Sequence, residues 1–518
     1  MLKSYVNRLN KSLNYTIPAP TGGLNLRDAF ESMSAGEAIQ MDNYIPYDTK
    51  VALRKGYQEY VRTNGKFQTL CVYQHEQYPR FIGISQGKAY NLTAPSAVSI
   101  YDDINFNSDR CQTVQYKNYL YFMNGRDIPK VFYINEEGEE NFHDWQFQAE
   151  GLEERAIIAG GVSKQFLWFI ENGSQKVWYS ALAGNISGEL NCFDLSSITR
   201  FGGHLQAVCS WTVDGGTGID DLTVFITSEG EVLVYSGSNP NSADDWQLKG
   251  SYKISAPLGW QCMLPYQGDL VIITHDGYMP LSKVLPLNEA GASTQAFSDK
   301  IKSLVIERTA YGQNKEGWQG IIYPKGGYAL FNVPISQGYE QHIVNLTTGA
   351  WCRFTDIKSH CWALFAGKLY FACDYGVCLF DSGYSDNGAH ITGIVRQAYN
   401  DLGSNALKKI QLLNPRILSS TAFSLVIYTD MDFIESKQSN IANLGSRGIT
   451  RWNVAKWSSV INQQLTKWQT TKGTVGSRWI ANSAFGCKAG IVFKTQTRGN
   501  LIEWYDTGVR YEQATGIM

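Results

Sequence analysis

At 518 residues the chain is too long for one ordinary core, and its formal net charge of −2 says little until the chain is divided. Aromatic residues make up 13%, with 30 Tyr and 14 Trp, which suits two-sided β packing because a ring covers much area at small entropic cost. No segment approaches the roughly 18 apolar residues of a membrane span, and Met1 to Pro20 lacks a signal-peptide core, so a soluble chain made in a cytoplasm is expected.

The first twenty residues are polar and end in Ile-Pro-Ala-Pro, which predicts an extended arm free to lie on a neighbouring subunit. In the stretch that follows, Ser34 with Glu37 three residues later reads as a capping box. Ala38, Ile39 and Met41 would give the apolar stripe of a short helix ending before Pro46. Val51 to Tyr60 reads as the first strand. The predicted first segment is therefore 1–60, an arm with a capped helix.

From Phe67 to Asp381 one pattern recurs: an aromatic-rich strand, a glycine turn, a second such strand and a longer polar connection. The clearest copies span 164–180, 220–237, 268–282, 317–333 and 367–381, and each reads as a β-hairpin. Their turn glycines are Gly173, Gly230, Gly277, Gly326 and Gly376, at intervals of 57, 47, 49 and 50 residues; weaker copies turn at Gly87 and Gly125. One propeller blade consumes roughly 40 to 50 residues. A hairpin apolar on both faces cannot bury itself alone, and radial stacking covers each face with the next blade. The expected fold is thus all-β, a β-propeller of six to eight blades over 61–389, followed by a β-rich C-terminal domain over 390–518.

The charge is segregated along the chain. Residues 390–518 hold 15 Lys and Arg against 7 Asp and Glu, a balance of +8, whereas residues 1–389 hold 30 against 40, a balance of −10. Between Lys437 and Ile502 there are ten basic residues and no acidic one. The candidate docking or DNA-channel residues are Lys437, Arg447, Arg451, Trp452, Lys456, Trp457, Lys467, Trp468, Lys472 and Arg478. Interleaved cations and indoles suit phosphates and stacked bases, and equally suit docking on an acidic protein surface. Docking ranks first, because the cations are spread thinly and form no known nucleic-acid module.

Signatures of catalysis are missing from the sequence: no phosphate loop, HExxH, nucleophile elbow or dinucleotide fingerprint occurs. The doublets Asp102/Asp103, Asp220/Asp221 and Asp244/Asp245 are nominal glycosidase pairs, but adjacent strand residues point to opposite faces. His204, His275, His342 and His360 read as structural histidines. Cys71, Cys111, Cys209, Cys361 and Cys373 sit in apolar strand patterns and read as free thiols. Cys373 and Cys378 are spaced like a metal pair without a matching second pair. No catalytic residue, metal or cofactor is assigned.

Several stretches resemble a known group. They are Gly22-Gly23-Leu24-Asn25, Arg27-Asp28, Met33, Glu37-Ala38, Asn43, Pro46 and Arg54-x-Gly56-Tyr57. Further on come NLTTGAWCRF (345–354), Val377-x-Leu379-Phe380-Asp381, Asp386-x-Gly388 and ITGIVRQAYNDLG (391–403). Taken in order they resemble the propeller-bearing tail hub, nozzle and head-completion proteins of short-tailed bacteriophages, which stabilise packaged DNA. The resemblance implies a non-enzymatic structural protein of the virion tail. It implies a homo-oligomeric ring, commonly a hexamer, below the portal and adaptor, whose channel holds DNA until ejection without reading its sequence. The basic C-terminal tract has no counterpart in that pattern. The alternative reading is a carbohydrate-binding or glycoside-hydrolysing propeller acting on host surface polysaccharide.

Overall fold

The structure is a computed structural model that describes residues 12–184, 188–214, 219–266, 268–284, 296–421, 423–436, 441–444 and 474–513. The chain forms two units. One comprises Glu59–Gln341 and Asp356–Phe380; the other comprises Met1–Gln58, His342–Thr355 and Asp381–Met518.

The first unit is a β-propeller of seven blades among its described residues; six are separate sheets, and the sixth blade in chain order is part of a ten-stranded sheet. The innermost strands are Thr69–Tyr73, Gln112–Tyr116, Ile157–Ser163, Leu205–Asp214, Met263–Tyr266, Gln319–Tyr323 and Trp362–Phe365. Successive blades touch around the ring, and the inner strand of blade seven packs on that of blade one. The apolar cores lie between blades, as two-sided strands require. Blades three and four share Trp168, Phe225, Tyr235 and Trp246, with the two indoles stacked 5.7 Å apart. Phe81 of blade one stacks on Phe365 of blade seven at 5.4 Å, so the ring is closed.

Closure uses a strand from outside the repeat. Tyr57–Arg62, which precedes blade one in sequence, forms the outer strand of blade seven beside Gly376–Phe380. The ring is thereby locked by non-local pairing. Gly376 makes this possible: its φ is +142°, and a Cβ there would stand 2.1 Å from the Val61 carbonyl oxygen. Among the described residues blade five has three strands, and the helix Lys302–Gly312 packs beside its last strand and the second strand of blade six.

The glycine rhythm differs at one blade. Gly173, Gly230, Gly277 and Gly376 all turn between the second and third strands of their sheets, whereas Gly326 turns between the first and second. The equivalent turn of blade six ends at Gly338, which is 61 residues after Gly277 and 38 before Gly376. The even spacing there is coincidental, because the helical insertion after blade five lengthens one interval.

The second unit packs two sheets across a core. In one, Ile502–Gln513 lies between Lys408–Ser419 and Ser12–Pro18; in the other, Ile391–Gln397 lies between Glu37–Asp42 and Ala489–Thr497. Phe493 of one sheet stacks on Trp504 of the other at 4.5 Å, and Tyr44 packs edge-on against Phe493. Ile391–Gln397 alternates strictly between buried and half-buried positions, the period-two signature of a strand with one face on the core.

Three expectations are corrected here. Residues 12–60 are not a separate arm segment, because Ser12–Pro18 pairs antiparallel with Ile502–Gln513 from Ser12 opposite Glu512 to Pro18 opposite Asp506; residues 1–11 of the expected arm lie outside the described residues. The boundary at 389/390 gives way to a discontinuous unit in which Ser12–Pro18 pairs with Ile502–Gln513. The capped helix is a strand: Glu37–Asp42 pairs with Ile391–Gln397, and Ala38 and Met41 are fully buried. Half of the capping box survives, since the Ser34 N–H donates to Glu37 Oε2 at 3.2 Å. Burial on both sides overrode the local helix signal.

Candidate functional sites

Most of the residues that carry the resemblance lie in the second unit, while Val377, Leu379 and Phe380 belong to the propeller. Arg54 is 1% exposed, and its guanidinium donates to both carboxylate oxygens of Asp386, from Nη1 at 2.8 Å and Nη2 at 2.6 Å. Its Nε donates to Asn43 Oδ1 at 2.8 Å. Asn43 holds a left-handed backbone, φ +61°, and its amide donates to Thr355 Oγ1 and the Thr392 carbonyl. Residues 43, 54, 355 and 386 are thus tied into one buried polar knot. Its donors are spent internally, which makes it a staple between distant segments.

A second knot surrounds the two-glycine turn. Asn25 Nδ2 donates to Asp28 Oδ2 at 2.8 Å and Glu37 Oε2 at 2.9 Å, while its Oδ1 accepts from the N–H groups of Arg27 and Asp28. Gly23 has φ +77°, and a Cβ there would meet the Trp351 carbonyl oxygen at 2.6 Å. The Asn345 amide donates to the Pro46 carbonyl at 2.9 Å. Motifs far apart in sequence are therefore neighbours in space.

The propeller carries a separate concave site at one end of its axis. It is a depression of about 740 Å³ lined from blades one, two, six and seven. Lys66, Arg110, Lys315 and Lys358 each stand within four residues before an innermost strand, and Tyr339 and Asp374 adjoin turns between second and third strands. In an antiparallel blade these two positions lie at the same end.

His360 lines the depression and is buried. Its Nε2 is 2.8 Å from Asp374 Oδ1, and its Nδ1 is 3.4 Å from the Tyr339 hydroxyl. Burial pushes its pKa down; Asp374 opposes that shift, and the Lys66 and Arg110 charges add to it. Burial likewise raises the Tyr339 phenol. Arg110 Nε lies 2.6 Å from Glu316 Oε2, and Lys315 Nζ donates to the Ile335 and Ser336 carbonyls. Narrower space of about 240 Å³, lined by inner strands of several blades including Gln112, Gln206 and Gln319, lies elsewhere along the axis.

Of the sequence-predicted docking or DNA-channel residues, all but one fall outside the described residues. Lys437, Arg447, Arg451, Trp452, Lys456, Trp457, Lys467, Trp468 and Lys472 all lie there, and Arg478 alone is described, on an exposed segment. Next to it, the Arg510 guanidinium stacks at 4.8 Å on the half-exposed Trp479 ring. Of the aspartate doublets, the side chain of Asp220 lies outside the described residues. Asp102 and Asp103 are exposed neighbours on one strand, and the Asp221 carboxylate accepts from Thr212 Oγ1. Asp245 accepts from the Ser238 and Asn239 N–H groups in a turn, and these bonds lower its pKa. All ten cysteines are free thiols. Cys373 and Cys378 stand 3.6 Å apart across their hairpin, their hydrogen bond lowering Cys373 and raising Cys378.

Sequence reasoning missed the axial depression. Its signal was present: a basic residue just ahead of the first strand of four repeats, visible once the repeats are aligned on inner strands. The axial residues belong to different blades, and only ring closure brings them together.

No family model matches the chain, and no curated protein matches it. Over 69% of its length it is similar to a solved structure described as the extracellular domain of a one-component system from B. thetaiotaomicron, with 11% identity and a TM-score of 0.40. The match spans 43% of that protein, less than half its length. Over 68% of its length it is similar to a Bacteroides fragilis protein described as a 6-phosphogluconolactonase, covering 91% of that chain at 13% identity and a TM-score of 0.34. The propeller assignment rests on the closed ring of sheets itself.

Proposed function

We propose that this protein is a non-enzymatic structural component of a short-tailed phage tail, a hub or nozzle ring below the portal and adaptor that conducts and retains genomic DNA. The observation that carries this reading is the convergence of most of the resembling residues: the motifs at 22–57, 345–354 and 386–403 belong to one unit and share its buried knots, whereas Val377–Phe380 lies in the propeller. Isolated degenerate matches have no reason to meet in space. A second support is charge. With the unit boundaries of the fold, the propeller holds 22 Lys and Arg against 33 Asp and Glu, a balance of −11, and the other unit holds 23 against 14, a balance of +9. Opposite charges on two parts of one subunit favour head-to-tail contacts that close into rings.

The test is the mass of the purified protein and of tails assembled with it. A ring, commonly a hexamer, is expected. A protein that is strictly monomeric both in solution and in the virion overturns the proposal. The glycoside-hydrolase alternative predicts oligosaccharide release from host polysaccharide that is abolished by substituting Asp220 or Asp221.

A further inference from the structure

We infer that the axial depression of the propeller binds an acidic saccharide, a sugar unit carrying a carboxylate or phosphate beside free hydroxyls. The inference goes beyond the ring-forming reading and does not depend on it, since every lining residue belongs to the propeller unit.

Charge is the first ground. The propeller unit is net −11, yet Lys66, Arg110, Lys315 and Lys358 collect at one mouth against only Glu316 and Asp374. A concave basic patch in an acidic domain focuses anions. The second ground is unspent donors. Among the described residues neither the Lys66 nor the Lys358 ammonium has a hydrogen-bond or ion-pair partner. The Arg110 side chain is 15% exposed, and its buried Nε, although close to Glu316, has no aligned acceptor. Such a guanidinium carries five N–H donors and is satisfied by an oxyanion arriving from the cavity.

The third ground decides the class of anion. Glu316 and Asp374 are exposed carboxylates standing among the cations, with side-chain exposures of 67% and 63%. They would repel a continuous phosphate backbone but accept hydrogen bonds from sugar hydroxyls. Tyr339 and Pro334 add apolar surface for the face of a ring. The volume of about 740 Å³ suits a short oligosaccharide.

Calorimetric titration of the full chain with trigalacturonate, neutral galactotriose, glucose 6-phosphate, inorganic phosphate and a short DNA duplex tests this. Trigalacturonate or glucose 6-phosphate should bind at least about tenfold tighter than galactotriose and inorganic phosphate, and more weakly as salt rises. Arg110→Gln and Lys358→Gln should each weaken it by about tenfold, and Glu316→Ala should weaken the sugar without affecting residual phosphate binding. Lys358 is at an exposed position, so its variant remains informative if the Arg110 variant unfolds. Failure of both acidic sugars to bind overturns the inference. So does equal binding of inorganic phosphate, preference for the duplex, or indifference to both cation variants.

Discussion

At the scale of single residues, Arg54 and Asp386 illustrate how a buried ion pair fixes a fold without being a site. Removing Arg54 alone leaves the Asp386 carboxylate buried and unpaired, at a cost of about 3–5 kcal/mol. Arg54→Met should therefore lower the urea midpoint of unfolding sharply, and the double variant Arg54→Met/Asp386→Leu should recover a large part of the loss. A single variant as stable as the parent would dissolve the staple argument. His360 gives a pH effect of definite sign. Burial holds its folded-state pKa, like that of His275, below the ordinary 6.5, while the unfolded chain titrates near that value. Below it the unfolded chain binds protons that the native state does not, so native stability is present above about pH 6.5 and declines as pH falls through the folded-state pKa. His360→Asn should flatten this decline in thermal melts between pH 7.5 and 5.5.

At the scale of elements, two strands far from their partners in sequence do the closing. Tyr57–Arg62 completes blade seven, and Gly376→Ala would push a methyl group into the Val61 carbonyl. That variant should lose about 1–3 kcal/mol and expose the chain near residues 57–66 to limited proteolysis, with the other blades resistant. Ser12–Pro18 is the second closing strand. Deleting residues 12–18 strips one edge of Ile502–Gln513, so the truncated chain should melt at lower temperature even as an isolated subunit. An unchanged melt would restore the independent arm expected from its Pro-rich, polar sequence.

For the whole molecule, the charge division between units is the feature that assembly would use. If the protein is the proposed tail ring, charge reversal at Arg447, Arg451, Lys467 and Lys472, which lie outside the described residues, should block joining to the ring or adaptor while changing stability by no more than about 0.5 kcal/mol per site. High salt should mimic it, because exposed charges more than ~10 Å apart are screened near 0.1 M. Negative-stain microscopy of assembled tails, beside DNA retention in the same virions, reads both outcomes. Normal assembly with leaking DNA assigns the tract to the channel, and normal assembly with normal retention makes it a solvated face.

The sequence by itself determined the repeat, the all-β class and the segregation of charge. Each of these is written locally, in the alternation of aromatic strands such as 164–180, in turn glycines such as Gly173 and Gly230, and in residue counts. It mistook Glu37–Asp42 for a helix, because six residues with a capping box look alike in both states and their pairing with Ile391–Gln397 is more than three hundred residues away. The tertiary structure alone decided how the ring closes, how segments distant in sequence build one unit, and which cations share a mouth. Lys66, Arg110, Lys315 and Lys358 are spread over almost three hundred residues, and no local pattern encodes their convergence. Non-local β pairing does, because it fixes where each blade begins only after the last blade has met the first.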